Sequence, residues 1–257
     1  MKNVMIGFLG VYASLVGFQA FAAGNATSTK NIVIVHGAFA DGSGWEDVSN
    51  ILTKDGYKVT IVQNPLTSLD ADVTATKNAL AKQDGPVVLV GHSYGGAVIT
   101  QAGNDPKVNS LVYVAAYVPD ANESVGDLLA AADKSVPAAP IIINGKKGVA
   151  FVDPAQFQAA FAADVDSDIT KLMSATQLPL GLPAVGTKIT SAAWMTKPSY
   201  YIVSSDDHMI PPSDERNFAI KAKAVQTFEF KASHAVFMSH SDDVAKVIEQ
   251  AATTLNK

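Results

Sequence analysis

The stretch Val87-Val88-Leu89-Val90-Gly91-His92-Ser93-Tyr94-Gly95-Gly96-Ala97-Val98-Ile99-Thr100 most restricts what this chain can fold into. Four consecutive apolar residues, three of them valine, predict a strand buried on both faces, the habit of a parallel sheet. The small, apolar run 96–102 predicts a helix. Between them Gly91, Ser93 and Gly95 form a Gly-x-Ser-x-Gly pattern, which gains chemical meaning from this strand-to-helix setting. Side chains two positions either side of Ser93 would collide with strand and helix in so sharp a turn. The turn lifts the Ser93 hydroxyl above the sheet. There, N–H groups at a helix N-terminus favour a developing negative charge.

Strand and helix alternate on both sides of this stretch. Residues 31–35 predict a buried strand running into His36-Gly37-Ala38-Phe39. A helical face follows at Trp45, Val48, Ile51 and Leu52, then a strand over 57–62 and a helix over 69–83. Residues 108–114 form the next strand. The alternation resumes with a strand at 199–203, a helix at 213–222 with Asp214 and Glu215 in its first turn, and a strand at 225–230. An amphipathic helix on Val244, Val247, Ile248, Ala251 and Leu255 closes the chain. Such alternation implies right-handed crossovers and a mostly parallel, doubly wound α/β sheet. Between 119 and 194 the rhythm stops, and prolines 119, 137, 140, 154, 179 and 183 punctuate alanine-rich helical pieces. This reads as a small helical cap inserted into a core formed by 23–118 and 195–257.

At 257 residues, with 48% hydrophobic and 17% charged residues, the chain can bury a substantial core. The net charge of −5 and the absence of a basic stripe argue against nucleic acid as a partner. Lys2, the apolar run 4–18 and Ala20-Phe21-Ala22 fit a cleavable signal peptide over 1–22, cut near Ala22/Ala23, rather than a stable membrane anchor. A chain without cysteine exported in this way is expected in the periplasm or outside the cell, resting on its core alone.

A serine hydroxyl needs a base to take its proton, and the base needs an acid to orient it. Two loops follow later strands at the same end of the predicted sheet: 204–211, with Asp206, Asp207 and His208, and 232–237, with His234. The order Ser93, Asp207, His234 fits a nucleophile–acid–base sequence known on α/β sheets. His240 is the alternative base. No two histidines have metal-ligand spacing, so neither metal nor cofactor is expected.

His36-Gly37-Ala38-Phe39, Gly91-His92-Ser93-Tyr94-Gly95-Gly96, Asp207-His208-Met209-Ile210-Pro211 and Ser233-His234-Ala235-Val236 together resemble the α/β-hydrolase superfamily. More narrowly, the chain is similar to EstC-like bacterial esterases and their relatives, the plant methylesterases and hydroxynitrile lyases. Gln177-Leu178-Pro179 and Ala193-Trp194 add to the likeness, which covers essentially the whole chain after the leader. The resemblance implies Asp207 as the acid, with Asp206 its neighbour and Asp120 an outside candidate. His36 and His92 are then structural, and His208 is a loop residue. The backbone N–H groups of Ala38 and Tyr94 would form the oxyanion hole. Phe39 and Trp194, with Phe157, Phe161 and Met173, are pocket candidates, although ordinary core suits each as well.

The expected activity is hydrolysis of small to medium carboxylic esters through an acyl-enzyme, with a small-molecule ester as partner. The alternatives are cyanohydrin cleavage or perhydrolysis on the same triad, or a ligand-binding homologue without chemistry. The resemblance implies a lysine after the base in the lyases, and Ala235 stands there.

Overall fold

The computed structural model describes Met1 and residues 29–253. The expected signal peptide and its cleavage point lie outside the described residues.

Six parallel strands form the central sheet. Strand β1 (Asn31–Val35) leads through a short 3-10 turn at Gly42–Trp45 to helix α1 (Glu46–Lys54). Strand β2 (Lys58–Val62), helix α2 (Leu69–Ala81), strand β3 (Val87–His92), helix α3 (Gly95–Ala102) and strand β4 (Val108–Val114) follow. Trp45 was expected within the first helix. It instead closes the 3-10 turn and caps α1, so the helix begins one residue later.

Between β4 and the next sheet strand come α4 (Val125–Ala131), β5 (Ile141–Asn144), β6 (Val149–Val152), α5 (Phe157–Phe161), α6 (Ser167–Thr176), β7 (Leu180–Gly181) and α7 (Leu182–Gly186). The sheet resumes with β8 (Ser199–Ser204), followed by α8 (Pro212–Lys221), β9 (Gln226–Phe230), α9 (Val236–Ser239) and α10 (Ser241–Thr253).

The strand order is β2-β1-β3-β4-β8-β9. The chain winds outward from β1 to β2, then crosses to β3 on the other side of β1. The crevice between the carboxyl ends of β1 and β3 is therefore the topological switch point, where open α/β sheets hold ligands. Every residue of β1 and β3 is buried, because α1 with α10 and α2 with α3 cover the sheet.

The intervening stretch is not only helical. β5, β6 and β7 form a second, antiparallel sheet, whose hairpin turns at Asn144-Gly145. The Gln177 side chain joins α6 to this sheet. It accepts the Val152 N–H at 2.9 Å and donates to the Val152 carbonyl at 3.0 Å. The sheet meets the core where the Gly181 N–H donates to the Leu66 carbonyl at 2.7 Å.

Candidate active site

Ser93 takes a left-handed backbone, φ 53°, immediately after β3. Few non-glycine residues adopt this conformation, and it persists only where the surroundings force it. The surroundings do so here. The Ser93 N–H is shared between the carbonyls of Val114 and Ala115, each at 3.2 Å, and the Ser93 carbonyl accepts from Gly96 and Tyr117. A Cβ on Gly95 would stand 2.5 Å from the Val35 carbonyl oxygen, so the strand that excludes a side chain there is the neighbouring β1. A Cβ on Gly37 would stand 2.8 Å from that of Ser93. The His36-Gly37-Ala38 turn is thus pressed against the serine, and Phe39 beyond it is also left-handed, φ 64°.

The backbone N–H groups of Ala38 and Tyr94 have no acceptor among the described residues. Tyr94 is held in place from the side. Its buried hydroxyl donates to Asp72 Oδ2 at 2.7 Å, and Asp72 Oδ1 accepts the Leu66 N–H at 2.8 Å. Burial, and then this partner's charge, push the Tyr94 phenol pKa far up.

His234 follows β9 and Asp207 follows β8, both at the end of the sheet where Ser93 follows β3. His234 Nδ1 lies 2.5 Å from Asp207 Oδ2, and both side chains are almost wholly buried. Asp207 Oδ1 accepts the N–H groups of Met209 at 2.6 Å and Ile210 at 2.9 Å. The carboxylate therefore keeps Nδ1 protonated and leaves Nε2 as the imidazole lone pair. His234 Nε2 is buried and has no hydrogen-bond partner among the described residues. Its ring lies beside that of His92, the residue before Ser93, with centroids 4.6 Å apart. Phe161 meets the same ring edge-on at 4.9 Å.

The other histidines have different roles. His92 donates from Nε2 to the His234 carbonyl at 3.0 Å, and burial first, then the His234 charge, hold its pKa well below the usual imidazole value. His36 donates from Nδ1 to the Gly37 carbonyl and accepts the Asn64 N–H at Nε2. Burial lowers its pKa too. Both are neutral struts. His208 is exposed and donates to the Ala159 carbonyl at 3.2 Å. His240 stacks on Phe230 and bonds to Ser239. Asp206 is exposed. Asp120 accepts its neighbour Ala121's N–H.

Of the pocket candidates, Phe157 and Phe161 are fully enclosed and stack on each other at 5.1 Å, so they are core behind His234 rather than open lining. Phe39 and Trp194 are also buried, with the Trp194 indole donating to the Pro119 carbonyl at 3.0 Å. Met173 lines a cleft of about 430 Å³ with Ile169 and Leu172 of α6, facing Ala40, Asp41 and Phe237. The intervening segment also reaches the loops that carry the acid and base. Ala235 donates to the Phe161 carbonyl, and Ser233 bonds to Asp164. Sequence reasoning missed Glu215, a buried carboxyl next to Asp207.

A doubly wound parallel sheet with a strained serine at its switch point, and a buried histidine–carboxylate pair in loops at the same end of the sheet, defines an α/β protein of the hydrolase class. The chain belongs to the alpha/beta hydrolase family, whose model matches residues 32–247. It is similar to a carbendazim hydrolyzing esterase of Nocardioides sp. (strain SG-4G), 34% identical over 113 residues, 38% of this chain and 47% of the relative. It is also similar to the putative methylesterase 11, chloroplastic, of Arabidopsis thaliana, 24% identical over 87% of this chain and 64% of the relative. The chain thus spans about half to two thirds of the length of these curated relatives. Its fold matches the crystal structure of polyneuridine aldehyde esterase with a TM-score of 0.74 at 20% identity, over 86% of this chain and 98% of that one.

Proposed function

We propose that the protein is a serine carboxylic ester hydrolase acting on small to medium esters. The observation that carries this reading is the buried His234–Asp207 pair, whose Nε2 is free of any partner among the described residues beside the elbow of Ser93. Ser93 Oγ attacks the ester carbonyl carbon while its proton passes to His234 Nε2. The carbonyl oxygen becomes an oxyanion, and the N–H groups of Ala38 and Tyr94 donate to it. Collapse expels the alcohol, protonated by His234, and leaves Ser93 acylated. Water then attacks the acyl carbon by the same route and releases the acid. Relatives named as esterases and methylesterases support this chemistry. The sequence pattern of Lys2, the apolar run 4–18 and Ala20-Phe21-Ala22 supports export, which N-terminal sequencing of protein from the periplasm and the medium tests.

A fluorophosphonate probe, located by peptide mass, tests the nucleophile. Wild-type protein is expected to label at Ser93, and Ser93→Ala to lose both the label and about 10⁴-fold or more of its ester turnover. Unchanged turnover in Ser93→Ala, with circular dichroism identical to wild type, would overturn the reading. A series of soluble esters should show rates falling as the acyl chain lengthens.

A further inference from the structure

Glu215 stands in the first turn of α8, yet none of its surface is exposed. Its Oε2 accepts the N–H of Ser204, the last residue of β8, at 3.0 Å. Its Oε1 meets no N–H or O–H donor among the described residues. Ser204 in turn accepts the Asp207 N–H at its carbonyl, 3.3 Å away, so the two buried carboxyls converge on one turn and act on each other. Two ionised carboxylates in one buried space repel strongly, so such a pair holds a proton between them.

The remaining surroundings decide where that proton sits. Asp207 already accepts from three donors, Met209, Ile210 and His234. Glu215 accepts from one. Tyr201 of β8 and Tyr117, beyond β4, face the pair as neutral phenols whose pKa values burial drives up. Asp214 and Arg216 flank Glu215 on α8. Arg216 is engaged at the surface by Glu229, at 2.6 and 3.0 Å, and counteracts Glu215 least. Burial first, and the Asp207 charge second, hold the Glu215 carboxyl well above the usual range.

We propose that Glu215 is a positioning residue: as a neutral acid it donates a hydrogen bond to the Asp207 carboxylate, fixing its orientation and moderating its pull on the His234 imidazole. The inference rests on the roles given above to Ser93, His234 and Asp207. The Glu215 proton stays in place through turnover, and Asp207 alone balances the transient imidazolium.

Glu215→Gln keeps an acceptor for Ser204 and a donor for Asp207, while Glu215→Leu removes both. Difference infrared spectroscopy at pH 7 is expected to show a protonated carboxyl band in wild type that Glu215→Gln lacks. With a soluble ester, Glu215→Leu should lose about 10- to 100-fold in kcat at unchanged KM, and Glu215→Gln should recover most of it. Without the donor, Asp207 binds the imidazolium more strongly. The acid limb of the Glu215→Leu profile should therefore move to higher pH, and that of Glu215→Gln should stay. An ionised Glu215 gives the opposite sign: losing its charge moves both limbs to lower pH, and that result overturns the proposal. A wild type that labels at Ser93 but lacks the carboxyl band overturns the proposal alone. A folded wild type that does not label at Ser93 overturns the esterase reading and this role with it.

Discussion

Strands β4 and β5 are built from similar material and end in opposite surroundings. β4, Val-Asn-Ser-Leu-Val-Tyr-Val, lies between β3 and β8 and is buried at every residue but Asn109. β5, Ile-Ile-Ile-Asn, leaves Ile142 40% and Ile143 64% exposed. Branched apolar residues favour an extended backbone in both, but the layers packed around a strand decide whether it is covered. The charges divide in the same way. Around the parallel sheet, burial drives Asp72 and Glu215 up and His36 and His92 down. In the intervening segment, hydrogen bonds hold exposed Asp127 and half-buried Asp153 down, and those from Ser213 and Ser135 take Asp133 to about 2. Within the parallel sheet exclusion of water governs, whereas in the intervening segment, as for Asp84 and Glu229 at the sheet's own margins, local hydrogen bonding does.

Substitutions can break or sharpen this contrast. The largest effect is expected from Gly95→Ala, whose new methyl group would press on the Val35 and His36 carbonyls. A loss of about 4 kcal/mol or more, or failure to fold, should appear in urea unfolding. Leu111→Ala, in the middle of β4, should cost about 3 kcal/mol by the same measurement.

The pH dependence comes next. His36 and His92 are held neutral, so below pH 6.5 the unfolded chain binds protons that the folded chain refuses, and stability falls as pH drops. Glu215 has the reverse sign. Above its ordinary value of 4.5 the folded chain keeps a proton that the unfolded chain releases, so stability falls as pH rises, by about 1.4 kcal/mol per unit. Between these values the two histidines oppose the one carboxyl, so melting temperatures should peak near pH 6.5 and fall above it, and Glu215→Gln should flatten that alkaline side. The smallest effects belong to the segment. A Cβ at Gly145 meets nothing within 4 Å, and Leu172 is 64% exposed, so Gly145→Ala and Leu172→Ala should each change stability by less than about 0.5 kcal/mol. Losses there equal to those at Gly95 and Leu111 would show that the two regions form one packing unit.

The parallel sheet was legible because its strands are continuous apolar runs, and the elbow because glycines flank Ser93 at fixed spacing. The hairpin β5–β6 was not, although Asn144-Gly145 is a turn signal. Three successive isoleucines show no alternation, and the surrounding prolines drew attention to loops instead. Chain order pointed to the loops after β8 and β9. Which of two adjacent aspartates meets His234 depends on how one loop turns, and the structure buries Asp207 while leaving Asp206 in water. Glu215 was hidden for a related reason. In sequence it is one of two acids suited to a helix N-terminus, and only the rotation of α8 against the sheet separates it from Asp214.

The shared hydrogen bond from the Ser93 amide to Val114 and Ala115 has a consequence for how this protein fails. That amide cannot exchange its hydrogen with solvent unless β3 and β4 separate at their carboxyl ends, and those are among the most enclosed strands of the molecule. Its exchange should need an opening as large as global unfolding. Heating would then not pass through a folded but inactive form: the nucleophile and the sheet lose their order in a single event.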